Sequence, residues 1–149
     1  MKTIFDKETR DELIGRINTL SEGSRAHWGK MNVSQMVRHC RLWEEMILGK
    51  RHCKRVFMGR LVGRMALKSS LKDDAPMMRN AVTSPELKVT IDNCDLSSER
   101  TKWIALIEEH AYYSPSPDFV HPFFGKMTKE QIGYHAYKHT DHHLRQFNS

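Results

Sequence analysis

Four histidines fall within nine positions near the carboxyl end of the chain, in "YHAYKHTDHHLRQF" (residues 134–147): His135, His139, His142 and His143. Imidazole binds divalent metals and carries protons near neutral pH. His139 and His143 stand four apart, which on a helix sets two side chains one turn above the other on one face, the spacing of helical metal sites. At 100° per residue, these four and Gln146 share an arc of about 100°. The apolar Ile132, Ala136, Leu144 and Phe147 border it on the side of His143. His139 and His143 are therefore expected nearest the core, and His135 and His142 on the rim.

Two imidazoles need a third ligand from another helix. His39, in "NVSQMVRHCRLWEEMIL" (residues 32–48), shares its helical arc with Met36, Trp43, Met46 and Ile47. A buried imidazole needs a hydrogen-bond partner or a metal, because an unsatisfied polar group in a core is costly. One divalent cation held by His39, His139 and His143 would meet that need. Three neutral imidazoles leave coordination positions open, as catalytic sites do and structural sites do not. The competing readings are a core histidine satisfied by hydrogen bonds alone, and a histidine cluster facing water.

Several neighbours bear on the same site. Gln146 is placed to bond a ligand imidazole or a bound water. His135 and His142 read as solvent-facing, with proton shuttling as the alternative. Glu44 lies inside the apolar arc of its helix and reads as salt-bridged to an arginine of a neighbouring segment, or else as a carboxylate behind the ligands. His121, before Pro122, either covers the open face of the metal or caps a turn. Cys40 points into the core and reads as packing.

Four helices must position these residues. The first is expected over about 6–20, with Leu13, Ile14, Ile17 and Leu20 at helical spacing. The second runs from Asn32, where "NVSQ" forms a capping box, to about Leu48 and stops at Gly49. The third covers about 96–112, opened by "DLSSE". The fourth starts at Thr128, where "TKEQ" repeats the capping box, and continues to about Phe147. With almost no alternating strand pattern, this predicts an all-α protein: a four-helix bundle in one domain, residues 1–149. Roughly 45 residues separate the second and third helices, too many for a hairpin loop, so a crossover is expected there. Inside it "KRHCKRVFMGRLVGRMALKSSLK" (residues 50–72) reads as an extra amphipathic helix. Arg60, Arg64, Lys68 and Lys72 form its basic stripe, and Phe57, Met58, Leu61, Val62 and Met65 its apolar side. Such a segment can lie on a membrane or bind phosphates. The simpler expectation is that its apolar side packs on the bundle with the cations in water. Residues 73–87 read as an irregular loop broken by Pro76 and Pro85.

The chain has 149 residues, 39% hydrophobic and 28% charged, which fits one globular core. No apolar run approaches the ~20 residues of a membrane span, and the charged amino terminus does not read as a signal peptide, so no membrane partner is expected. Three widely spaced cysteines, Cys40, Cys53 and Cys94, argue for reduced thiols and a cytoplasmic location. The net charge of +6 admits an anionic partner, nucleic acid being the weaker reading.

"HPFFGKMTKEQIGYHAYKHTDHHLRQF" (residues 121–147), with "HWGKMNVSQMVRHC" upstream (residues 27–40), resembles a domain-of-unknown-function branch of the DinB-like superfamily of helical metalloenzymes. The resemblance covers about Leu20 to Phe147. It rests most on the H-x-x-x-H followed by Gln (His139, His143, Gln146) and on His39. It implies a four-helix bundle with a long crossover, and one divalent ion, nickel or zinc, on His39, His139 and His143. It also implies metal-activated thiol transfer or hydrolysis on a small molecule, and a homodimer. "HPFFG" belongs to this branch and not to the superfamily's general pattern. Leu144 and Arg145 stand where many relatives have Arg-Gly, a departure that touches the surroundings of the ligands and not the ligands. The leading expectation is therefore a metal-dependent transferase or hydrolase. The alternatives are a non-catalytic, metal-stabilised binding protein with a basic surface for nucleic acid or another anionic partner, and a bundle whose histidines serve only hydrogen bonds.

Overall fold

The computed structural model describes residues 1–91 and 94–149. Five α-helices make up the regular structure of the described residues: α1 (Lys7–Thr19), α2 (Val33–Ile47), α3 (Phe57–Ser70), α4 (Leu96–Glu109) and α5 (Lys129–Gln146). Two 3-10 turns, Pro85–Leu87 and His110–Tyr112, complete it. Among the described residues there is no strand, only an isolated antiparallel bridge between His121 and Gly125.

The helix starts lie where side chains can satisfy the first backbone N–H groups. Asn32 and Thr128 both make full capping boxes, with Gln35 and Gln131 reaching back. Asp95 accepts from the N–H groups of Ser97 and Ser98. Gly49 follows α2 at φ 75°, the left-handed conformation that lets the chain turn out of the helix. The four expected main helices agree with the observed ones within a few residues, the third ending at Glu109 as α4 and tightening into the 3-10 turn over the next three residues; the extra helix expected over residues 50–72 forms only over Phe57–Ser70.

α2 packs most extensively on α4, and the pairs α1–α4, α1–α5 and α2–α5 close the core. Ile4, Leu13, Ile17, Met36, Val37, Ile47, Trp103, Ile107, Ile132 and Leu144 are fully buried between them. Cys40 lies in this core with its Sγ 3.7 Å from Met36 Sδ, a packing role as expected. All three cysteines are free thiols.

α3 departs from expectation. Its buried residues are Gly59, Gly63 and Leu67, while Phe57, Met58, Leu61, Val62 and Met65 are exposed. The expected packing of its apolar side on the bundle does not occur, because the helix approaches through its glycines. A Cβ on Gly59 would lie 2.4 Å from the Phe123 carbonyl oxygen, and one on Gly63 2.1 Å from it. Only glycine permits that approach of helix to backbone. The end of α3 is closed by Lys138 of α5, whose Nζ donates to the carbonyls of Ser70 (2.6 Å) and Asp73 (2.9 Å), a cation at the negative end of the helix dipole.

In an ordinary helix interior, Gly→Ala stabilises by up to about 1 kcal/mol. Here Gly63→Ala is expected to destabilise by about 1–3 kcal/mol, since backbone must shift to admit the methyl group. Urea denaturation of the variant reads the sign directly.

Candidate metal centre

His39 projects from α2, and His139 and His143 from successive turns of α5. The α2–α5 packing brings the three rings together: centroids lie 5.4 Å apart for His39–His139, 4.9 Å for His39–His143 and 4.8 Å for His139–His143. One nitrogen of each lies within 4.8 Å of the others, and all three residues are buried. The group could hold a metal ion, and it is the only such His/Cys/Asp/Glu group among the described residues.

Hydrogen bonds fix which nitrogens are available. His39 Nδ1 lies 2.9 Å from the Leu87 carbonyl oxygen. A carbonyl only accepts, so Nδ1 carries the proton and Nε2 keeps its lone pair. At His143 the Gln146 amide decides the tautomer. Gln146 Nε2 donates to the Trp28 carbonyl at 2.7 Å, which sets the orientation of the amide. Its Oε1 therefore faces His143 Nδ1 at 2.9 Å and accepts from it. His143 Nε2 is again left with its lone pair. His139 Nδ1 is buried and has no hydrogen-bond partner among the described residues. The His139 ring stacks on Trp43 at 4.2 Å, which fixes its plane.

The electrostatics match. Burial pushes His39 below the ordinary imidazole range, more than the bond to Leu87 raises it. Burial, then His143 and His39, holds His139 well below it. Burial and then His39 do the same to His143, against the bond to Gln146. All three are neutral at pH 7, the protonation state a metal requires. Neutral nitrogen donors without a carboxylate suit borderline ions such as zinc and nickel.

The other predicted residues fall differently. Gln146 bonds the His143 imidazole as expected. His135 was expected to face solvent but is only 2% exposed, packed between Trp43 and Phe124. Burial and then Lys138 push it down to about 4. The reason is the 121–125 loop, which folds over the part of α5 that the helical wheel leaves at the rim. His121 caps that loop: its Nδ1 accepts from the N–H groups of Phe123 and Phe124, both at 3.2 Å. His121 is buried against Trp43 and His135 and is not in the three-histidine group. His142 is half-buried, its ring 5.1 Å from His143 and 5.6 Å from Trp28, over which the Arg79 guanidinium stacks at 4.1 Å.

Glu44 is fully buried, but its partner is not the expected arginine. Its carboxylate accepts from His110 Nε2 (2.7 Å) and Thr140 Oγ1 (3.2 Å). His110 was missed because it falls at the end of its helix. It stands seven residues after the buried Trp103, two turns along the same face, and that spacing could have found it. Leu87 and Trp28 were also missed. They act through backbone carbonyls, for which their side chains give no sign.

In the metal-free protein these imidazoles resist protonation while the unfolded chain does not. The unfolded state then binds more protons between the folded values and about 6.5, so stability is complete above that range and falls as pH drops through it. His135 alone, with a folded value of about 4, should cost about 2 kcal/mol between pH 7 and 5. Urea midpoints of chelator-treated protein at the two pH values are expected to show at least that loss. An unchanged midpoint would contradict the burial of His135.

No curated protein and no solved structure matches the chain. A family match extends over residues 3–149, nearly its full length. By that match the chain belongs to the family described as "Protein of unknown function (DUF1569)".

Proposed function

We propose that this protein is a divalent-metal-dependent enzyme of the DinB-like type, a single-domain four-helix bundle with α3 in the crossover, in which His39, His139 and His143 hold one ion, nickel or zinc. The observation that carries the reading is the pair of Nδ1 commitments, His39 to Leu87 and His143 to Gln146, beside an uncommitted His139. Histidines that served only hydrogen bonds would have no reason to bring one nitrogen of each ring within 4.8 Å of the others while two of the rings commit Nδ1 elsewhere. Second hydrogen bonds that fix tautomer and ring orientation are the usual companions of metal-ligating histidine.

The reaction class is thiol transfer or hydrolysis on a small molecule in the cytoplasm. When bound, the ion supplies Lewis acidity that polarises a carbonyl or lowers the pKa of a thiol or water. The protein's own residues supply position and dryness. Trp43 covers one side of His139, and the Gln146–Trp28 bond holds residues 27–29 against the end of α5. A donor set without carboxylate leaves the charge of a dication undiminished, which favours an anionic group such as a thiolate on the substrate. His142 is the more solvent-accessible of the imidazoles flanking the three, and the one placed to exchange a proton with water.

Purified chain stripped with chelator is expected to take up one equivalent of zinc or nickel and to gain thermal stability with it. His139→Ala should take up none at comparable concentration. Cobalt(II) substitution separates enzyme from structural clamp. A monothiol added to the cobalt protein should produce a sulfur-to-cobalt charge-transfer band if coordination positions are open. One equivalent of metal with no response to thiol would leave a metal-stabilised binding protein; full metal uptake by His139→Ala would remove the ligand assignment.

A further inference from the structure

α3 turns its apolar residues outward by construction. Gly59 and Gly63 seat the helix on the Phe123 backbone, Arg55 ties its start to the carbonyls of His121 (2.8 Å) and Pro122 (3.2 Å), and Lys138 closes its end. Held at three points, it presents Phe57, Leu61 and Met65, 71%, 64% and 73% exposed, on one face with Met58 beside them. Exposed apolar side chains on successive turns of a fixed helix mark a contact surface.

Charge says what covers it. Arg60, Arg64, Lys68 and Lys72 run along one edge of that face at four-residue intervals, and none is in an ion pair among the described residues. Residues 46–72 hold eight lysines and arginines and no Asp or Glu. That exceeds the whole chain's net +6, so the remainder of the chain is net acidic. Of these eight, Arg60, Arg64, Lys68 and Lys72 lie on or just after α3 beside the apolar face, while Lys50 and Arg51 pair with Glu109 and Glu45 and Arg55 holds the His121 and Pro122 carbonyls. A second copy fits poorly. An antiparallel two-fold pairing of α3 would set the Arg60–Arg64–Lys68 edge of one copy beside the same edge of the other, like charges in a desolvating contact. A polyanion without an apolar layer, such as nucleic acid, would answer the cations and leave Phe57, Leu61 and Met65 in water.

We infer that α3 is a docking helix for an anionic phospholipid surface: it lies in the bilayer interface with Phe57, Met58, Leu61 and Met65 among the upper acyl chains and its cations at the headgroups. Such a helix lies on a membrane and does not cross it, and no described helix of this protein is long and apolar enough to cross. The inference is independent of the metal centre.

Sedimentation of the full chain with vesicles tests it. The chain is expected to bind phosphatidylcholine vesicles containing phosphatidylglycerol, not phosphatidylcholine alone, and to dissociate as salt is raised. Leu61→Glu should weaken binding about tenfold or more by removing one inserted side chain. Arg60→Gln and Arg64→Gln should each weaken it about fivefold. All three positions are exposed, so thermal midpoints and metal uptake should match the unaltered chain, which separates lost docking from lost folding. Failure to bind the anionic vesicles overturns the inference. So does binding that Leu61→Glu leaves intact, which would be electrostatic adsorption alone. A dimer in ultracentrifugation that Leu61→Glu dissociates, without vesicle binding, would give the face to a second copy.

Discussion

Three imidazoles packed within a few ångströms of one another, out of water, are held uncharged at neutral pH, and the architecture of one end of this protein follows from that constraint. Burial and mutual proximity both oppose a proton on any of them. Neutral imidazole still has one N–H to place and one lone pair to satisfy. His39 places its N–H on the Leu87 carbonyl, so the Pro85–Leu87 turn must lie against α2 where it does. His143 places its N–H on Gln146, whose other end holds Trp28. Gly29, at φ 79°, lets the chain pass where any Cβ would strike the Gln146 amide. Two irregular segments are therefore positioned by hydrogen bonds that lead back to two histidines.

The same economy governs the fully buried carboxylate of Glu44. Glu44 lies on α2, five residues after His39, yet it is not part of the three-histidine group. Its two oxygens are occupied by His110 and Thr140, which joins α2 to the turn after α4 and to α5. A buried carboxylate with both oxygens bonded is structurally committed; one left free would compete for any cation at the histidines. Separation of the two polar groups leaves only nitrogen atoms in the three-histidine group.

How much of this was legible in the sequence depends on the range over which each residue acts. Helix starts were legible because Asn32, Asp95 and Thr128 act on N–H groups two or three residues away. The convergence of His39 with His139 and His143 was legible because periodicity places a residue on a face, and buried faces meet. His135 was not, because a helical wheel takes no account of a loop from elsewhere in the chain closing over the rim. Glu44 was recognised as buried, but its partner lay on a third element and could not be found from α2. α3 failed for a related reason. Amphipathic pattern marks an apolar face, and the assumption that this face is the inward one holds only if the opposite face cannot approach more closely. Gly59 and Gly63, four apart on that opposite face, were the contrary signal.

The loop at 121–125 lies between α3 and the rings packed on α5. Its outer side is backbone, the Phe123 carbonyl region against which the α3 glycines lie, with the His121 and Pro122 carbonyls held by Arg55. Its inner side is ring: His121 on Trp43, and Phe124 on His135 at 4.7 Å. Trp43 in turn stacks on His139. The loop needs both sides at once. His121 Nδ1 satisfies the two N–H groups that the turn would otherwise leave open, which requires the imidazole to be neutral, and burial holds it so. Burial of His121 depends on the loop lying flat on α5, and the glycine-faced α3 presses it there. A residue larger than glycine at position 59 or 63 would lift α3 from the loop, and the contact chain from His121 through Trp43 carries the consequence to the stacked face of His139.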